Sequence, residues 1–147
     1  MASRRAERQI LIRGAPQECF AAVVDYDSFP EWQRAVRSCE VLERDRNGRG
    51  ERVAFEVDAK IDLIHYTLDY HYEEPHLVAW RFVAGDVRDV DGELVLEDTG
   101  EGATLATYAL RMGPGGRLPA RLSDLLSGQL MEGVLEDLKQ RVEGAPA

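Results

Sequence analysis

Basic charge is what this chain is shortest of. Its 147 residues carry 18 lysines and arginines against 27 aspartates and glutamates, a formal net charge of −9. Acidity of that size, scattered through the chain, argues against nucleic acid as a partner, because phosphate contacts need a concentrated basic surface. The one basic cluster, Arg4, Arg5 and Arg8, falls near a terminus, where disorder is common. Cysteine is scarcer still. Cys19 and Cys39 have no CxxC or Cys/His spacing around them, so no zinc site is implied and both are expected to be free, partly buried thiols. No apolar run approaches the roughly 20 residues needed to span a bilayer, and no apolar segment follows the basic start. A soluble, cytoplasmic protein without stable membrane insertion is the expectation. Internal repeats and low-complexity segments are missing as well.

What is present is globular: 44% hydrophobic and 31% charged residues. That length and balance suit a single domain over residues 1–147. Residues 8–13 read as a short strand. Gly14-Ala15-Pro16 then turns the chain into a helix with Gln17 and Glu18 in its first turn and Phe20, Val23 and Val24 on its apolar face. A second short helix is signalled where Ser28 and Glu31 have capping-box spacing and Trp32 follows. From Ser38 the period is two. Residues 38–45 lead to Asn47-Gly48, a two-residue hairpin signal, and Val53, Phe55, Val57 and Ala59 alternate with polar neighbours. Ile64, Tyr66, Leu68, Tyr70 and Tyr72 share one face of the next run, His65, Thr67, Asp69 and His71 the other. Val78, Trp80 and Phe82, then Gly92, Leu94 and Leu96, then Ala106, Tyr108, Leu110 and Met112 mark three further strands.

The only long helical pattern is Arg117–Val142. Pro119 suits its first turn, and Lys139 and Arg141 complement the dipole at its end. Leu122, Leu125, Leu126 and Leu130 form one apolar stripe, and Val134, Leu135, Leu138 and Val142 a second one rotated round the axis. A bend near Gly128 and Gly133 is therefore expected. The order predicts an α+β fold: an antiparallel sheet of about seven strands, two short helices between the first and second, and a long C-terminal helix covering the apolar face. One helix is too narrow to fill the concavity of such a twisted sheet, so a cavity between them is the natural consequence.

Several segments together resemble a known family. Asp25-Tyr26-Asp27-Ser28-Phe29-Pro30-Glu31-Trp32, then Val78-Ala79-Trp80 before Gly85-Asp86, then Gly92 to Leu96, Thr104 to Leu110, and Leu118-Pro119 follow in the order of the polyketide cyclase/dehydrase and lipid-transport family. That family belongs to the START-like, Bet v 1-like superfamily. The resemblance spans roughly residues 7–143. It implies the helix-grip fold, no cofactor, and a hydrophobic ligand such as a lipid, a quinone or a polyketide. Aromatase/cyclases of this group carry a pocket arginine on the strand matching Leu63–Tyr72, where the nearest equivalent here is Asp69. This weakens the cyclase reading, and the acidic charge disfavours a ribosome-binding toxin branch.

The candidate ligand-binding residues are the large side chains expected on the concave face, Trp32, Phe55, Tyr70, Trp80, Phe82 and Tyr108, with Leu126 and Leu130 from the helix. They could equally be core filling. Tyr70, His71 and Tyr108 are the candidates for proton transfer if a polyketide chain is cyclised or dehydrated. His65, Asp69 and His71 share a strand face, where a pair two residues apart could hold a metal from two positions, but a third ligand is not evident and no metal site is assigned. Ser123, Asp124 and His76 lack the spacing of a nucleophile elbow and are not a triad. The leading expectation is a binding or carrier protein for a hydrophobic small molecule, with the aromatase/cyclase or dehydrase as the alternative. Oligomeric state is open.

Overall fold

A computed structural model of the chain describes residues 4–58, 63–85, 91–112 and 133–144. Its strands are β1 (Arg4–Arg13), β2 (Val36–Arg44), β3 (Gly50–Asp58), β4 (Leu63–Glu73), β5 (Leu77–Gly85), β6 (Asp91–Asp98) and β7 (Ala103–Met112). They form one antiparallel sheet in the order β1-β7-β6-β5-β4-β3-β2. Because β1 and β2 lie at opposite edges, the segment between them must carry the chain across the sheet. It does so through α1 (Pro16–Val23), a 3₁₀ turn at Tyr26–Ser28 and α2 (Phe29–Trp32). Residues 133–143 are helical and are called α3. The expected helix start at Pro119, the bend at Gly128, and Leu126 and Leu130 lie outside the described residues.

Three local expectations are corrected. First, β1 begins at Arg4 rather than near residue 8, since β7 runs on to Met112 and pairs with it from Arg4↔Met112 to Arg13↔Ala103. The basic cluster is thus part of a paired strand. Second, Ser28 makes no side-chain cap. It closes the preceding turn instead, its N–H donating to Asp25 O at 3.2 Å, which leaves it helical rather than extended. Third, the β2–β3 connection is longer than two residues, because Arg44 pairs with Gly50. Asp45 accepts from the N–H groups of Asn47 and Arg49 through its side chain, and Gly48 takes φ 85°.

The alternation along β4 holds. Ile64 and Leu68 are buried while His65 and His71 are exposed, so the tyrosine face is the one turned to the core. Ile12, Phe20, Val53, Val78, Leu96 and Leu138 are fully buried, each contributing about 1.5–3 kcal/mol by removal from water. Cys19 belongs to this core too, and is more deeply buried than expected. From α3, Leu135 and Leu138 supply the buried stripe, with Val142 beside it.

Polar contacts fix where α3 lies. The Arg13 N–H donates to Glu143 Oε2 at 2.9 Å, and Lys139 Nζ donates to Leu11 O at 2.9 Å. A Cβ on Gly14 would stand 2.7 Å from Val142 Cγ1, so only glycine lets the helix end pack this closely on β1. On the other side, Asp137, 5% exposed, accepts from Arg34 N at 3.0 Å and Arg34 Nε at 2.9 Å. Gln33 Nε2 donates to Val134 O at 3.3 Å. The helix is pinned between the start of the sheet and the α2 corner.

Candidate ligand-binding site

Aromatic rings line the core-facing side of the sheet in one connected belt. Starting at α2, Trp32 meets Phe29 at 5.2 Å between centroids and Phe29 meets Tyr26 at 5.1 Å. Tyr26 meets Tyr70 at 5.1 Å, Tyr70 meets Trp80 at 6.0 Å, and Trp80 meets Tyr108 edge-on at 5.4 Å. Phe55 joins Tyr66 at 5.5 Å and Tyr70 at 6.4 Å. Spacings of this kind are the favoured ones for aromatic pairs. The belt follows from strand register: Tyr70 stands opposite Trp80, Phe55 opposite Tyr66, and Leu94 opposite Tyr108, so period-two patterns on five strands converge on one surface.

Of the residues expected to form the site, Phe55, Tyr70, Trp80 and Tyr108 are thus brought together. Phe82 packs against the same core without a ring contact in the belt. Trp32 sits further off, in an open groove of about 620 Å³ where α2 meets the last turns of α3, shared with Arg34, Asp137 and Arg141. The Arg141 guanidinium lies 6.0 Å from the Trp32 ring, and Trp32 Nε1 is buried without a partner among the described residues. His71 is withdrawn as a proton-transfer candidate. It is on the opposite face of β4, 70% exposed, with Nε2 3.5 Å from Glu73. Asp69 lies on that outer face as well, held by Arg52 through Nε at 2.7 Å and Nη2 at 3.0 Å. Its carboxyl is pushed down by the Arg52 hydrogen bond. The core-facing neighbours of Asp69 on β4 are Leu68 and Tyr70, neither of them basic.

Sequence reasoning passed over Tyr26, Phe29, Tyr66 and Arg8 as site residues. Tyr26 and Phe29 stood inside the segment that carries the family resemblance, and Tyr66 shares the face of Tyr70. Arg8 already lay in the expected first strand, but only the register of β1 with β7, which pairs it with Tyr108, puts both residues on one face.

The five tyrosines divide into two kinds. Tyr72 donates its hydroxyl proton to Gly50 O, so in the 2.8 Å contact between hydroxyls it is Tyr26 that donates to Tyr72. A Cβ on Gly50 would stand 3.0 Å from the Tyr26 ring, which is how that ring comes to lie over the strand. Tyr66, Tyr70 and Tyr108, by contrast, have hydroxyls without a hydrogen-bond partner among the described residues. All three retain some accessible surface, yet burial pushes their pKa far up from the ordinary phenol value. Tyr70 is pushed further by the neighbouring Tyr66, Tyr72 and Tyr108, and Tyr66 by Tyr108. Trp80 owes its place to Gly92 on the adjacent strand, where a Cβ would come within 2.7 Å of Trp80 Cζ2. No group of three or more His, Cys, Asp or Glu able to hold a metal occurs among the described residues.

A seven-stranded antiparallel sheet with two short helices after its first strand and a C-terminal helix on its apolar face is the helix-grip class of α+β protein. Within that class, the chain belongs to the polyketide cyclase/dehydrase and lipid-transport family, whose model matches residues 3–143. Solved structures share the fold. A START superfamily protein from Mycobacterium smegmatis is 18% identical with a TM-score of 0.86, the match covering 97% of this chain and 99% of that one. The Zhui aromatase/cyclase from a Streptomyces species is 12% identical with a TM-score of 0.86, covering 97% and 94%. The di-domain aromatase/cyclase BexL is 17% identical with a TM-score of 0.73, this chain covering 46% of its length. No curated protein matches the sequence.

Proposed function

We propose that this chain is a single-domain carrier, core about residues 7–143, which binds a hydrophobic small molecule in a cavity between the sheet and the C-terminal helix. A lipid, a quinone or a polyketide fits that description. The observation that carries the reading is the state of Tyr66, Tyr70 and Tyr108. Side chains that keep accessible surface, yet are surrounded deeply enough for desolvation to dominate their acidity, belong to the wall of a recess rather than to the outside. Phe55, Trp80 and Phe82 extend that wall, and Trp32 would serve at its margin. No metal or cofactor is required. No described helix is long and apolar enough to cross a membrane, which suits a carrier working in the cytoplasm.

The alternative is a polyketide aromatase/cyclase or dehydrase using the same cavity; two structural neighbours, Zhui and BexL, are aromatase/cyclases. The state of the phenols favours the carrier. A phenol that holds its proton this firmly can donate a hydrogen bond to a carbonyl but is unsuited to abstract a proton at neutral pH. Native mass spectrometry of freshly purified protein tests the reading. A copurifying hydrophobic molecule is expected, and it should be lost together with a change in Trp80 emission on extraction. Purely unliganded protein, together with unchanged tryptophan emission across a panel of fatty acids, quinones and aromatic polyketides, would overturn it.

A further inference from the structure

We propose that Tyr66, Tyr70 and Tyr108 form a donor array that reads the carbonyl oxygens of a flat, uncharged, conjugated ligand, whose rings lie against the Trp80 indole. The proposal rests on the carrier reading above and narrows its ligand. It starts from the division among the tyrosines. Tyr26 and Tyr72 use their hydroxyls to hold the 3₁₀ turn, β3 and β4 together through Gly50 O. The remaining three serve no such purpose among the described residues, although each side chain could have been phenylalanine at no loss of ring contact. A hydroxyl on a half-buried side chain that bonds nothing among the described residues is a natural place for a ligand acceptor.

The three lie on one surface and close together. Phe55 bridges Tyr66 and Tyr70, and Trp80 bridges Tyr70 and Tyr108. Tyr66 and Tyr108 both oppose ionisation of Tyr70, as their neighbour Tyr72 does. Since all three stay protonated, the array offers donors, and the chemistry it matches is an oxygen acceptor. A neutral carbonyl fits better than a carboxylate, because the desolvation that keeps the phenols uncharged also opposes bringing in an anion. Arg8 faces the same way from opposite Tyr108, but it is exposed on the edge strand, with Nη1 donating to Glu7 O. The rings above and beside the hydroxyls, Trp80 in particular, favour a flat partner over a flexible chain. Aromatic ketones and quinones share this chemistry.

The test uses three probes built on one tricyclic frame, 9-fluorenone, fluorene and fluorene-9-carboxylate, in calorimetric titrations of the full chain. Fluorenone is expected to bind about tenfold or more tighter than either of the others. At least one of Tyr66→Phe, Tyr70→Phe and Tyr108→Phe should weaken fluorenone about fivefold or more while leaving fluorene within about twofold. With 9,10-anthraquinone, which has two carbonyls, at least two of the three should do so; comparing the two probes separates a ketone source from a quinone source. The variants keep every ring, and their melting curves verify folding. Equal loss of fluorene and fluorenone, or no loss of either, would overturn the array while leaving the carrier reading intact. Preferred binding of the carboxylate, abolished in Arg8→Gln, would overturn it in favour of an anionic ligand. Failure of every probe and of the native ligand search would remove the carrier reading itself.

Discussion

Raising the pH should unfold this protein abruptly, and the tyrosines say where. The chain has five, and burial raises all of them above the ordinary phenol value; Tyr72, the mildest of those with a value, reaches about 12. An unfolded tyrosine loses its proton near pH 10. Between that pH and the folded value the native state holds more protons than the unfolded state, so stability falls as pH rises. Below pH 10 the full contribution is present. Each tyrosine then costs a little over 1 kcal/mol per pH unit, and five together cost roughly 5–7 kcal/mol per unit. A domain of ordinary stability, about 5–15 kcal/mol, would reach its midpoint between about pH 11 and 12. The assay is absorbance of tyrosinate at 295 nm followed alongside circular dichroism. All five phenols are expected to ionise in one cooperative step that coincides with loss of ellipticity. Gradual ionisation centred on pH 10 with a native spectrum throughout would refute both the burial of these side chains and the recess argued from it.

Two further outcomes concern packing. Gly92→Ala drives a methyl against the Trp80 ring and toward Ala109 O, 2.6 Å from the ideal Cβ. It should destabilise by about 1–3 kcal/mol in urea and shift Trp80 emission, and an unchanged spectrum would show that the indole does not lie over β6. Asp137→Ala removes the acceptor for both Arg34 N–H donors and leaves a partly buried backbone N–H unpaired. A loss of about 1.5–3 kcal/mol is expected, larger than for Arg34→Ala, whose side chain is 73% exposed; equal losses would place the energy in the ion pair rather than in the bond to the Arg34 backbone N–H.

How much of this was legible beforehand can be traced residue by residue. Strand identity was carried by period two, which is a property of neighbours along the chain: Val53, Phe55 and Val57, or Tyr66, Leu68 and Tyr70, announce a buried face without reference to anything distant. Strand extent was not, because it depends on the partner. Nothing in Arg4-Arg5-Ala6 reads as strand, and the segment is one because β7 offers it backbone partners as far as Met112. Ser28 shows the same limit at shorter range. Its spacing to Glu31 is right for a capping box, but the turn at Asp25 had already used its N–H.

The site divides along the same line. Which aromatic residues face inward follows from alternation, and so Tyr70, Trp80 and Tyr108 were found. Their different duties follow from hydrogen bonds across the fold, which no local pattern encodes. Tyr72 and Tyr70 are two residues apart on one strand face, stacked at 6.0 Å with their rings nearly parallel, and have the same local sequence environment. Only one of them lies within reach of Gly50 O. That contact turns Tyr72 into a structural bolt and makes Tyr26 its donor, while Tyr70 keeps a hydroxyl that the described protein does not use. The difference predicts opposite behaviour on removing one oxygen atom. Tyr72→Phe breaks a buried network and should cost about 1–3 kcal/mol of stability, because Tyr26 and Gly50 both lose their partner. Tyr70→Phe should leave stability unchanged or raise it slightly, since no bond within the described protein is lost. Urea denaturation of the two variants side by side decides it: equal destabilisation would mean that Tyr70 is bonded within the protein and has no hydroxyl to offer a ligand.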